Sequence, residues 1–339
     1  MKQPIEGYLI ESVEKVIFDV KGLVHPPDRV VAFPRFIPSQ NGARIRKDNK
    51  YAKVYGLSER FAFLEKSLPE YVMLDPVFDE KLCEVPLNKI KKVYNPTNRL
   101  KKLINAKSLD SLEKIALECV RLLKDYASVP WDKLGVSGSL LVDLHTGASD
   151  IDLVVYGVEN CLKVYSALRK LRDEGDTSFK PYSLDDLRKL FDFRSKDTMM
   201  SFEDFVAVEH RKAFQGKFSN IDYFIRFVKD WNEVDEKYGD VRYRNCGYAK
   251  IEATVADDAE SIFTPCTYQI EDAKIVEGPK LQPIKEIASF RGRFCEQAKK
   301  GETVIAQGKM EHVTDTRRKS EHFRLLLGNK PSDYMILKH

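Results

Sequence analysis

Between Gly135 and Gly157 the chain reads GVSGSLLVDLHTGASDIDLVVYG, and no other stretch limits the fold as strongly. Residues 134–136 form a short apolar strand, Gly138-Ser139 turns into a short apolar helical segment, and residues 150–157 form a second strand. In that strand Asp150 and Asp152 alternate with Ile151, Leu153 and Val155. Side chains at i and i+2 of a strand share a face. Two carboxylates therefore stand side by side while the aliphatic residues enter a core from the opposite face. Like charges held so close repel, which is expensive unless a cation lies between them. Hard divalent cations such as Mg²⁺ take oxygen ligands, and a carboxylate pair can hold two of them in the arrangement that serves phosphoryl transfer. Gly138 lets a phosphate approach the backbone closely. The N-terminus of the following helix offers N–H groups to an anion, and Ser139 adds a hydroxyl. Only residues 140–149 separate this phosphate cradle from the carboxylates.

A third carboxylate completes such a site, and Asp222 is the best placed. It lies in the alternating run NIDYFIRFV (220–228), flanked by Ile221 and Tyr223. There it would serve as a metal ligand or as the base that activates an attacking hydroxyl. Glu203, Asp204 and Glu209 are weaker alternatives because they fall in a predicted helix. Arg211 and Lys212, in EHRKAF (209–214), are close in sequence to Asp222 and form a candidate phosphate clamp. The same two cations would also suit the C-terminal end of a helix dipole. His145 and the loop 146–149 adjoin the pair and are further, weaker candidates for substrate contact.

Gly-Ser, ten residues, then Asp-x-Asp resembles the signature of the DNA polymerase β-like nucleotidyltransferase superfamily, its compact members in particular. The wider chain is similar to the archaeal predicted nucleotidyltransferases. The similar parts include the His25-Pro26-Pro27 turn and the C-terminal runs SFRGRFCEQA (289–298) and FRLLLG (323–328). The resemblance implies that Gly138 and Ser139 bind the triphosphate of an incoming nucleotide. It implies that Asp150 and Asp152 hold Mg²⁺ or Mn²⁺ and that Asp222 is the third acidic residue, both ligand and catalytic group. The expected fold is α+β: a central nucleotidyltransferase fold of mixed sheet with flanking helices, a mixed N-terminal domain, and a β-rich C-terminal domain forming a small, OB-like barrel.

The flanks fill in this outline. Length alone suggests two or three domains, and the expected boundaries are 1–105, 106–240 and 241–339. Residues 16–24, 29–37 and 51–55 read as strands, Ser58–Ser67 as a helix and residues 97–106 as a connecting segment. Ser108 is the expected cap of an amphipathic helix running to Tyr126. Residues 162–172 form a second such helix, and Ser183 and Ser201 open two more, over 183–193 and 201–213. Five runs (243–255, 263–271, 284–294, 302–313 and 322–327), with turns between them, supply the strands of the barrel.

Lys and Arg number 56 against 52 Asp and Glu, so overall charge does not demand a nucleic-acid partner. No two of the six cysteines form a CxxC, and no His stands at zinc-finger spacing from them. They read as buried thiols of a reducing cytosol. With no signal-peptide pattern and no apolar run of membrane-spanning length, the expectation is a cytoplasmic protein without a membrane partner.

The expected reaction moves a nucleoside monophosphate from an NTP, with ATP the expected donor, to an acceptor hydroxyl on an RNA end or a protein side chain. The alternative is a nucleic-acid-binding protein in which a catalytically weak nucleotidyltransferase fold senses nucleotide. Phosphate-ester hydrolysis on the same metals is a third option. Tyr and Arg alternating near 241–250 would stack and neutralise nucleic acid, or form an ordinary solvated strand face.

Overall fold

A computed structural model describes residues 3–175, 177–196 and 199–338. They form two compact units. The first contains the residues up to Met73, Leu82–Pro181 and Ala213–Asp235; the second contains Leu74–Lys81, Tyr182–Lys212 and the chain from Glu236 onward. This division differs from the expected one. The N-terminal region shares a unit with the Gly-Ser and Asp-x-Asp segment, and residues 182–212 belong with the C-terminal strands.

The first unit holds two sheets, apart from residues 74–81 of the first sheet, which are counted with the second unit. In chain order the first is built from β1 (Leu9–Ser12), β2 (Ile17–Val20), β3 (Arg29–Pro38), β4 (Arg44–Arg46), β5 (Asn49–Lys53), β6 (Val72–Asp75), β7 (Glu80–Pro86) and β8 (Ile90–Tyr94), with helix α1 (Leu57–Ser67) between β5 and β6. Its strands run in the order β4-β5-β3-β2-β1-β8, and β7 pairs with β3 and β6. The His-Pro-Pro turn is structural: the buried His25 ring bonds the Pro4 carbonyl at 2.8 Å and accepts the Val31 N–H at 3.2 Å. Burial pushes its pKa down to about 4.

Helices α2 (Pro96–Ile104) and α3 (Ser111–Ala127) follow. The segment expected to be a connector is thus a helix, because Asn95 accepts the N–H groups of Thr97 and Asn98 and Pro96 fits the first turn. The cap of α3 is Asp110 rather than Ser108. Asp110 and Glu113 satisfy each other's backbone N–H groups reciprocally.

The central sheet comprises β9 (Leu134–Val136), β10 (Ile151–Tyr156), β11 (Phe179–Lys180), β12 (Gln215–Phe218) and β13 (Ile221–Val228), with α4 (Gly138–Leu141) and α5 (Val158–Asp173) in the connections. The order is β11-β12-β13-β10-β9. β10 and β13 are parallel, and the remaining neighbours are antiparallel. On one face Val154, Tyr156 and Val228 join a core with Ile10, Phe18, Val20 and other residues of the first sheet. On the other face Tyr165 of α5 stands edge-on to Phe227. Each fully buried aliphatic or aromatic side chain is worth roughly 1.5–3 kcal/mol, so this stacking of sheet on sheet is a principal support of the unit.

The second unit contains α6 (Leu184–Arg194) and α7 (Phe202–Glu209), capped by Ser183 and Ser201 as expected. α7 stops at Glu209, short of the expected 213. Five strands then close a barrel: β14 (Val241–Asp257), β15 (Cys266–Glu277), β16 (Ile284–Ser289), β17 (Thr303–Asp315) and β18 (Ser320–Leu327). The circuit runs β14-β15-β16-β18-β17 and returns to β14; only β16 and β18 pair in parallel. Ala249, Ile251, Ala253 and Val255 of β14 are buried at period two, as a closed barrel requires. A sixth strand, β19 (Tyr334–Leu337), which the sequence reading did not anticipate, adds to β17. The six cysteines are free thiols, and all but Cys246 are buried. Among the described residues no helix is long and apolar enough to cross a membrane.

At Gly135, β9 packs closely against the start of α2. A β-carbon there would lie 2.5 Å from the Pro96 Cβ and 2.9 Å from its carbonyl carbon. Gly135→Ala is therefore expected to destabilise the protein by about 1–3 kcal/mol. Denaturant unfolding measures this, and an unchanged midpoint would show that the two elements are not held so tightly.

Candidate functional site

The parallel pairing of β10 and β13 builds the site. Ile151 lies opposite Tyr223 and Asp152 opposite Phe224, so the same register brings Asp222, the second residue of β13, level with Asp150, the residue before β10. Asp150, Asp152 and Asp222 occupy the face that continues as Val154 and Arg226, at the end that the apolar core does not reach. Asp150 is exposed at this rim, although protein packed around its other sides still limits the water that reaches its carboxyl. Burial pushes its carboxyl above the ordinary carboxylate range, and so do Asp152 and, less strongly, Asp222; Lys53 and Arg35 pull the other way.

Gly138 meets this acidic group directly. Its φ is +57°, and a β-carbon on it would fall 1.8 Å from an Asp152 carboxylate oxygen. The backbone of the Gly-Ser turn therefore lies against the Asp152 carboxylate, and no residue larger than glycine fits. α4 is a single turn, in keeping with the short helical segment expected after Gly138-Ser139. Ser139 is buried within it. The turn is fastened from several directions. Ser137 donates its N–H to the Asp152 carbonyl at 2.8 Å and its hydroxyl to the Gly7 carbonyl at 2.7 Å. Arg99 donates to the Leu140 carbonyl at 2.8 Å and pairs with Asp143 at 2.8 Å.

Charges that sequence reading missed surround the acids. Arg226 of β13, beside Asp152, is held by the buried Glu6 and by Asp19, which also pairs with Lys21 at 2.7 Å. Lys217 pairs with Asp222 at 3.0 Å. Arg44 donates to the Leu144 carbonyl at 2.5 Å and to the Ser149 hydroxyl at 3.1 Å, fixing the loop that ends in Asp150. The alternation of β13 marked Arg226 as sharing a face with Asp222. The remaining residues had no local signal.

Other expected residues are placed differently. Arg211 forms a two-pronged pair with Glu302 at 2.6 and 2.7 Å. Lys212 is fully buried and bonds Glu209, Gln297 and the Arg293 carbonyl at 2.6–2.7 Å. These contacts lie inside the second unit, and neither residue has a cationic group to spare as a phosphate clamp. Glu209 is bound by Arg194 as well as Lys212. His145 bonds Asp110 at 2.6 Å and so ties the 142–149 loop to the start of α3.

Asp110, Glu113 and His145 also form a cluster whose ligand atoms all lie within 4.8 Å of one another. Its carboxylate oxygens already accept the N–H groups of the capping box, His145 and Arg99. It therefore reads as a helix start rather than a metal centre. The atoms of Asp150, Asp152 and Asp222 are spread more widely. As donors they fit a hard divalent cation: all are oxygens, and desolvation together with the repulsion of Asp152 and Asp222 raises the Asp150 carboxyl's affinity for a proton.

A protein of Methanocaldococcus jannaschii, described as uncharacterized protein MJ1086, is 33% identical to this chain over 324 residues. The aligned region covers 93% of this chain and 92% of that protein. The chain belongs to the same family as MJ1086. No family model and no solved structure matches it.

Two outcomes follow from these contacts. A carboxyl with a raised folded-state pKa binds its proton more tightly folded than unfolded, so stability falls as pH climbs from its ordinary value, about 4, through the raised one. Asp150→Asn is therefore expected to raise the melting temperature at pH 7 without divalent ions, the gain vanishing below pH 4. A variant no more stable than the parent at pH 7 would contradict the crowding. Lys212→Met should cost about 3–5 kcal/mol in denaturant unfolding, because it breaks a buried ion pair from one side. A stable variant with weakened nucleotide binding would restore the clamp.

Proposed function

We propose that the protein is a metal-dependent nucleotidyltransferase that moves a nucleoside monophosphate from an NTP to an acceptor hydroxyl. One observation carries this reading. Three carboxylates from two parallel strands gather at one rim, and the Gly138 backbone lies directly against one of them. Such a rim suits a polyphosphate on one side and hard cations on the other. Asp150, Asp152 and Asp222 would hold Mg²⁺ or Mn²⁺. A bound divalent cation there would polarise the α-phosphate and offset charge on the departing pyrophosphate.

The chain's own groups account for the remaining steps. The Gly138-Ser139 turn receives the triphosphate. Asp222 accepts the proton of the acceptor hydroxyl, whose oxygen forms a bond to the α-phosphorus. The bond from that phosphorus to the bridging oxygen breaks, and pyrophosphate leaves with the electron pair.

A second reading is favoured by the barrel. Numbered within the barrel, its strands close in the order 1-2-3-5-4 with 3 and 5 parallel, which supports an OB-like topology, a fold that serves oligonucleotide binding. Arg242 and Arg244 are exposed on β14. Tyr243, however, is stacked on Phe78 at 5.8 Å with Arg324 over its ring at 3.8 Å, so it is not open to stack on a base. The barrel therefore supports RNA as the acceptor ahead of a protein side chain. On the alternative reading, the protein binds nucleic acid and its catalytically weak core senses nucleotide.

Incubation with each α-labelled NTP, Mg²⁺ or Mn²⁺, and total RNA or protein tests the main reading. Label is expected in one acceptor fraction with equimolar pyrophosphate. Asp222→Asn should lower the rate by about 100- to 10,000-fold if it removes the general base, and Asp150→Asn with Asp152→Asn should abolish transfer. Transfer that survives the double substitution would refute the assignment. Salt-dependent RNA binding with no transfer to any acceptor would favour the second reading.

A further inference from the structure

The first sheet gathers two cations where a polyphosphate would need them. Lys53 of β5 lies opposite Phe36 of β3, and cross-strand partners point to the same face. Phe36 and Tyr51 are buried on that face against Leu141, Val142 and Leu144. Arg44, with its guanidinium 5.8 Å from the centre of the Phe36 ring, bonds Ser149, the residue before Asp150. The face that carries Lys53 is thus the one applied to α4 and to the loop ending in Asp150.

Lys53 has company there. Its ammonium lies 4.8 Å, and the Arg35 guanidinium 5.0 Å, from the centre of one ring, Tyr55, which is 42% exposed. A cation is attracted to the negative face of an aromatic ring, which holds both groups near Tyr55 without neutralising their charge. Among the described residues neither Lys53 nor Arg35 has a carboxylate within 4.0 Å. Both are near enough to Asp150 to lower its affinity for a proton. Two cations without a direct ion pair, beside a turn that admits a phosphate, form a recess with a place for a multiply charged anion.

We propose that Lys53 and Arg35, gathered on Tyr55, bind the polyphosphate of the nucleotide on which Asp150, Asp152 and Asp222 act, making the first sheet half of the active site. The substrate identity rests on the nucleotidyl-transfer reading, whereas the anion site rests on the cations. They take the place that Arg211 and Lys212 were expected to fill.

Calorimetric titration of inorganic tripolyphosphate, and of ATP with Mg²⁺, into the full chain tests this. Lys53→Gln and Arg35→Gln should each weaken both ligands by about tenfold or more, since one charge-assisted hydrogen bond is worth about 1.5–3 kcal/mol. Lys53→Arg, which keeps the charge, should retain most of the affinity and shows whether loss in Lys53→Gln reflects charge or misfolding. Tripolyphosphate binding that depends on Lys53 and Arg35 supports the site even if no nucleotidyl transfer is ever found, in which case only the reaction falls. Robust transfer with unchanged ATP affinity in both glutamine variants would overturn the site and leave the reaction standing. Failure of the unsubstituted protein to bind tripolyphosphate would overturn the site as well.

Discussion

The packing of the first sheet over one face of the central sheet decides where charge can stand in the first unit. Val154, Tyr156 and Val228 are sealed in that interface, so polar groups on the same face are confined to its rim. Parallel pairing of β10 with β13 does the rest, because it brings the starts of both strands to one end. An antiparallel pair would send Asp222 to the far edge. A slip of one residue would turn Asp150 and Asp152 into the helical layer, where aliphatic residues now pack. Arg226 marks the boundary between the apolar and acidic parts of the face, and Glu6 and Asp19 hold it there.

The resulting charge arrangement is costly on its own. Crowding lifts the Asp150 carboxyl, and Lys53, Arg35 and Arg226 offset the repulsion without forming direct pairs with Asp150 or Asp152. Groups placed for stability alone would close such pairs. Of the three acids only Asp222 closes a pair, with Lys217 at 3.0 Å; Asp150 and Asp152 are left facing cations at a distance, an unfavourable field that a ligand carrying both signs, such as a metal-bound polyphosphate, would relieve. Elsewhere the chain does close its pairs: Arg211 with Glu302, Lys212 with Glu209, and Arg324 with Glu311.

Much of this was legible in the sequence where the signal is local. Gly138, Ser139, Asp150 and Asp152 fall within one short segment, and period-two alternation gives their face directly. Asp222 was reachable because β13 alternates cleanly. The cations were not legible, since Arg35 and Lys53 lie about a hundred residues upstream and join the acids only when two sheets stack. Arg211 and Lys212 show the converse error. Only nine residues separate Lys212 from Asp222 in sequence, yet the chain passes from the second unit to the first between Lys212 and Ala213. Residues 97–106 read as a connector, yet the helix start is written just before them: Asn95 caps α2, and Pro96 in the first turn loses no hydrogen bond.

The barrel strands were legible for the reason the cations were not: each alternates locally and ends in a turn. Their circuit was less so, because β16 and β18 pair across an intervening strand. That parallel pair closes the barrel and takes up edges that five strands would otherwise leave exposed. It also determines which side chains remain outside. On β14, Arg242 and Arg244 project to solvent while Tyr243 is taken up by Phe78 and Arg324. A surface that displays guanidinium groups but keeps its aromatic ring covered attracts a phosphate backbone without stacking on bases. Any RNA bound on this strand would therefore be recognised by charge and shape more than by sequence.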